Sequence, residues 1–154
     1  MARPDNVTPF RPRRPPPKPA GGGSNFGMAT HRGRAVLAQG LTLAAFVLSF
    51  IFPAMPLSLI GFGLGAAALF IAASHRHGSM PWAQTHHEHV VRTIVIGAAI
   101  WTLASLLPMF GAIMVMPTLV IYVVVLIWVA VRTVVGLVLA IMRRPIWRPA
   151  GILF

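Results

Sequence analysis

TIVIGAAIWTLASLLPMFGAIMVMPTLVIYVVVLIWVAV, residues 93–131, holds no charged side chain and no histidine. AVLAQGLTLAAFVLSFIFPAMPLSLIGFGLGAAALFIAAS, residues 35–74, is its counterpart earlier in the chain. Each run is about twice the ~20 residues that one membrane-crossing helix needs. Each is interrupted near its middle, by Pro53 and Pro56 in the earlier run and by Pro108 and Pro117 in the later one. Proline lacks the N–H that a helix interior requires, and its ring clashes with the preceding turn. Each run therefore reads as a helical hairpin. The predicted fold class is an all-α membrane protein with four transmembrane helices as two helical hairpins. The predicted spans are residues 35–52, 57–74, 90–107 and 117–142.

Composition agrees. The 154 residues are 56% hydrophobic and only 10% charged, against roughly 25% charged in soluble domains. The membrane domain, residues 35–142, takes most of the length and leaves no room for a soluble enzymatic domain. With no cysteine there is no disulfide, thiolate zinc site, cysteine-ligated iron–sulfur cluster or cysteine nucleophile. No Gly-rich phosphate loop, Ser–His–Asp arrangement or zinc-protease motif is present. No enzyme and no cofactor are expected.

Residues 1–34 read as a disordered basic tail. Phe10-Arg-Pro-Arg-Arg-Pro-Pro-Pro-Lys-Pro19 favours extended polyproline II over helix or sheet. Gly21 to Ser24 follows as a flexible hinge. Pro12-x-x-Pro15 and Pro16-x-x-Pro19 fit a docking motif for a Pro-binding domain. Such motifs arise readily in Pro/Arg tracts, so the tail is read as an arm resting on anionic lipid. The first apolar run lies behind this tail and is longer than the apolar core of a signal peptide, so it is expected to remain as a span. Residues 143–154 form a second short basic tail, with Trp147 among arginines as an interface anchor.

The net charge is +11, from thirteen Lys/Arg against Asp5 and Glu88. Such an excess fits nucleic acid or an anionic membrane, and the apolar runs decide for membrane. With four spans the two tails share a side with the link between spans 2 and 3. That side holds twelve of the thirteen Lys/Arg, and the two hairpin turns opposite hold none. Positive charge stays cytoplasmic. The expectation is a multi-pass protein of a bacterial inner membrane with both termini in the cytoplasm.

Residues 75–92 read as a polar loop containing His75, His77, His86, His87, His89 and Glu88. His86 and His89, three apart, share a helical face, and with His87 they are the candidate metal ligands, suited to Zn²⁺, Ni²⁺ or Cu²⁺. Imidazoles also titrate near pH 6.5, so the loop is a candidate pH sensor. Glu88 and Arg92, four apart, are expected to pair. Arg132 is the one charge near a span interior. It lies fifteen residues after Pro117, about 22 Å along a helix, and is expected to snorkel to the headgroups. Gly61, Gly65, Ala68 and Ala72 form a small-residue face on span 2, read as packing within the bundle rather than between copies.

Thr85-His-His-Glu-His-Val-Val-Arg-Thr93, leading into Ile94-Val-Ile-Gly97, resembles the pattern of a family of small bacterial membrane proteins of unknown function. That family is grouped with Tic-type components of the chloroplast inner-envelope translocon. It has Ser-His, then Arg-Thr seven residues after the Ser, at the entry to a span. Ile60-Gly61 and the Arg132 to Leu137 segment are similar to it as well, and the resemblance covers about residues 38–143. It implies a four-helix fold with no enzyme activity, and it makes His86, Arg92, Thr93, Arg132 and Gly136 the motif positions. The family often has Gln two residues before the Arg; this chain has Val90 there.

Three functions fit these readings. The first is a non-enzymatic accessory, scaffold or assembly component that uses its helix faces and basic cytoplasmic tail to engage membrane-protein partners; a homo-oligomer is the alternative partnership. The second is a small oligomeric transporter or channel, whose few polar candidates are Gln39, Thr42, Ser49, Thr102 and Ser105. The third is a metal- or pH-responsive membrane protein using the His-rich loop. No nucleic-acid partner is expected.

Overall fold

A computed structural model of the chain describes residues 27–51, 57–149 and 151. Among these residues are four α-helices and no strand: α1 (His31–Ile51), α2 (Leu57–His75), α3 (Pro81–Leu106) and α4 (Val115–Ile141). All four are long and apolar enough to cross a membrane. The Pro/Arg-rich segment and the turn at Pro53 and Pro56 lie outside the described residues.

Local chemistry sets the helix ends. Thr30 caps α1: its hydroxyl oxygen accepts from the N–H of Gly33 at 3.0 Å, satisfying one orphan donor of the first turn. This carries α1 into the segment read as tail. α3 opens with Pro81 in its first turn, where a missing N–H costs nothing. The loop expected over residues 75–92 is therefore short, and the histidines from His86 onward belong to a helix, nine residues ahead of the expected start at 90. Between α3 and α4 run two short 3₁₀ turns, Leu107–Phe110 and Ala112–Met114. Gly111 joins them at φ 126°, ψ 162°, a conformation open to glycine and strained for any L side chain.

The four helices form an up-and-down bundle. α1 and α3 each pack against all three other helices, while α2 and α4 do not meet. The small face of α2 lies on α1 within the same chain. A Cβ on Gly61 would stand 2.9 Å from the Ala45 carbonyl oxygen, and one on Gly65 3.6 Å from the Ala45 Cβ. Ala68 and Ala72 are buried with Ala38, Val90 and Ile94. Small residues here let the two backbones approach, which is how helices gain van der Waals contact when lipid tails are as apolar as the side chains.

One half of the interior is aromatic and aliphatic. Phe46 packs with Val125 and Val129. Trp101 meets the edges of Phe46 at 6.3 Å and Phe50 at 6.4 Å, and stacks on Tyr122 at 4.1 Å. The other half, toward the α1 N-terminus and the α4 C-terminus, is polar. We call it the basic end. The outward faces are largely apolar: Phe62, Phe70, Leu103, Val120 and Val124 are all exposed. Apolar surface of that extent is the signature of lipid or partner contact.

Candidate functional site

Arg132 organises the basic end. It sits mid-way along the second half of α4, and only 1% of its surface is exposed. The expectation that it snorkels is therefore corrected: its side chain turns inward between α3 and α4. An arginine buried at that depth needs its donors satisfied, and neighbouring elements supply the acceptors. Nε donates to Thr93 Oγ1 at 3.1 Å. One Nη2 hydrogen goes to His89 Nδ1 at 3.1 Å. Nη1 donates to the Gly151 carbonyl at 2.7 Å. The guanidinium also lies over the Trp128 ring, 5.1 Å from its centroid, a cation–π contact one helical turn away.

The donors and acceptors close consistently. A guanidinium only donates, so His89 Nδ1 accepts and the ring proton sits on Nε2. From there it donates to the Arg132 carbonyl at 3.3 Å. Thr93 accepts from Arg132 through its oxygen and donates its own hydrogen to the His89 carbonyl at 2.7 Å. α3 contributes His89 and Thr93 because they stand four apart on one helical face. The segment after α4 folds back to contribute Gly151.

That returning segment is stitched to α3 at two more points. His86 Nε2 donates to the Arg144 carbonyl at 2.9 Å. The Ile146 N–H donates to Thr85 Oγ1 at 3.1 Å, and Ile146 is buried. The turn that starts the return is a Schellman closure: Arg144 N–H reaches the Leu139 carbonyl at 2.9 Å and Arg143 N–H the Ala140 carbonyl at 3.2 Å. Arg143 adopts φ 56° to make it.

Gln39 completes the layer from α1. It is 1% exposed and presses on Gly136 of α4, where a Cβ would fall 2.5 Å from Gln39 Nε2. A side chain at position 136 would force that amide to shift. Among the described residues neither amide atom of Gln39 has a hydrogen-bond partner.

Of the motif positions, His86, Thr93, Arg132 and Gly136 line this one region between α3, α4 and the returning segment. Arg92 does not. It is exposed and bridges Glu88 at 2.7 Å, as the spacing predicts, and Arg76 binds the second Glu88 oxygen at 2.7 Å. Arg76 escaped sequence reasoning because it is twelve positions away, in the turn between α2 and α3.

The metal expectation meets a different geometry. His86, His87 and His89 do not converge, and among the described residues no group of three histidine or acid side chains could hold a metal ion. The nitrogens of His89 serve Arg132, and His86 Nε2 serves Arg144. His87 is fully buried, neither of its ring nitrogens has a hydrogen-bond partner among the described residues, and the His75 ring lies 6.1 Å away.

His89, Gln39 and Trp128 are the members that sequence reasoning did not assign to this role. The signals were present: His89 is four before Thr93, and Trp128 four before Arg132. Their convergence with Gly151 depends on the fold. Comparison with models of known families, with curated proteins and with solved structures finds no match to this chain.

Proposed function

We propose that this chain is a non-enzymatic accessory or assembly component of a bacterial inner membrane, with both termini in the cytoplasm. One observation supports the reading: the hydroxyls of Thr42, Thr93, Ser105, Thr118 and Thr133 bond to their own chain, and the outward faces are left largely apolar for contact with other helices. Thr42 donates to the Ala38 carbonyl at 2.8 Å, Ser105 to the Thr102 carbonyl at 2.6 Å, and Thr133 to the Val129 carbonyl at 2.8 Å. Thr102 and Ser105 sit on an outer face, away from buried Gln39 and Thr42. Phe46, Trp101 and Tyr122 occupy the interior beyond the arginine network. These facts favour the accessory reading over a transporter or channel.

The basic end supports the orientation. Arg76, Arg92, Arg143, Arg144 and Arg148 gather there, and positive loops stay cytoplasmic. Membership of the small bacterial membrane family that the chain resembles is part of the same proposal. Its support is the placement of four motif positions on one region.

Native mass spectrometry of untagged protein, released gently from its own membrane, tests the proposal. A defined complex with other membrane proteins is expected. A bare homo-oligomer would contradict the accessory reading.

A further inference from the structure

We propose that the groove between α4 and the returning segment binds the phosphate headgroup of one anionic phospholipid. The inference rests on the membrane reading above and adds a site to it. The groove is a cavity of about 440 Å³, within the ~300–1,000 Å³ of small-ligand sites. It lies at the basic end, at the level where Trp147 and Arg148 follow α4. Arg148 lines it and is exposed. Arginine is suited to phosphate because its planar fork makes two parallel charge-assisted hydrogen bonds. Trp147, 93% exposed, lines it too. An indole ring at headgroup depth has one apolar face and one polar edge, which fits a glycerol–acyl junction.

Among the described residues no acidic side chain lines the groove, and Glu88, the sole acid among them, is held by Arg76 and Arg92. The C-terminus of α4 would ordinarily present negative carbonyls nearby. Here the carbonyls of Val138, Leu139 and Ala140 already accept from Met142, Arg144 and Arg143. Arg132 lies directly behind His89, which forms part of the wall, and adds its positive charge from within.

The groove is amphipathic in the order a lipid requires. Leu139 and Val135 line its lower side. Below them Val131 continues the same outward face at helical spacing, and Val131, Val135 and Val138 are exposed. An acyl chain has an apolar track leading away from the headgroup toward the bilayer centre. A free phosphate has no use for that track, so a lipid is the occupant. Basic pockets beside membrane helices on the cytoplasmic side recognise anionic headgroups in this way.

The test is native mass spectrometry of the full chain in detergent micelles, titrated with phosphatidylglycerol or phosphatidylcholine. The chain is expected to retain one phosphatidylglycerol about tenfold more tightly than phosphatidylcholine. Arg148→Gln should abolish that preference, and Arg76→Gln should keep it. The inference is overturned if the wild type shows no preference, if Arg148→Gln leaves the preference intact, or if inorganic phosphate displaces the lipid. Circular dichroism of Arg148→Gln confirms that its helices are retained. Carbonate extraction separates the two levels. Protein stripped from membranes by carbonate overturns the membrane reading itself. Protein that stays in the membrane yet ignores phosphatidylglycerol overturns only this site.

Discussion

Arg132 is a cation inside a bundle, held by a threonine, a histidine, a backbone carbonyl and a tryptophan face. Its environment turns a costly residue into a cross-link between α3, α4 and the returning segment. Thr93 sits at the centre, since its one hydroxyl serves both Arg132 and the His89 carbonyl. Thr93→Val keeps the shape and removes both bonds. It is expected to lower stability by about 1–2 kcal/mol, read by unfolding in mixed micelles, with Thr93→Ser close to wild type. The Gln39–Gly136 crossing gives a second expectation. Gly136→Ala places a methyl where the amide lies, at about 1–3 kcal/mol. In Gln39→Ala/Gly136→Ala most of that loss should return, because the clash has lost one partner. Equal losses in the single and double variants would show that the crossing is not where the strain arises.

At the scale of elements, two residues adopt backbone conformations that their neighbours require. Gly111 at φ 126° lets the chain reverse between α3 and α4. Gly111→Ala is expected to cost about 1–3 kcal/mol, measured by the same unfolding experiment. Arg143 holds φ 56° at the end of α4, a place that glycine usually takes. Arg143→Gly should therefore gain about 1 kcal/mol. Much of this element structure was legible beforehand. Charge-free runs and prolines located both hairpins, and Glu88–Arg92 followed from spacing. The start of α3 was not found, because five histidines and a glutamate look like a surface loop. Pro81 in a first turn was the overlooked signal. Arg132 was misplaced for a related reason. Distance along one helix measures how far a side chain must reach to water, but says nothing of acceptors that α3 and a returning segment bring to it.

At the scale of the whole molecule, the bundle is polar inside at its basic end, aromatic inside beyond it, and apolar on the outside. The hydrogen bonds of Thr42, Thr93, Ser105 and Thr133 close on the chain itself. A channel needs polar groups aligned and open to water, whereas a helical scaffold needs them satisfied and its outer faces free. Ion flux into liposomes reconstituted with the purified full chain separates these designs most directly. Potassium and proton flux is expected to be no greater than in empty liposomes, with the protein inserted and helical. A flux that depends on the chain and falls in Thr93→Val would contradict the scaffold reading, because the arginine network would then line a path.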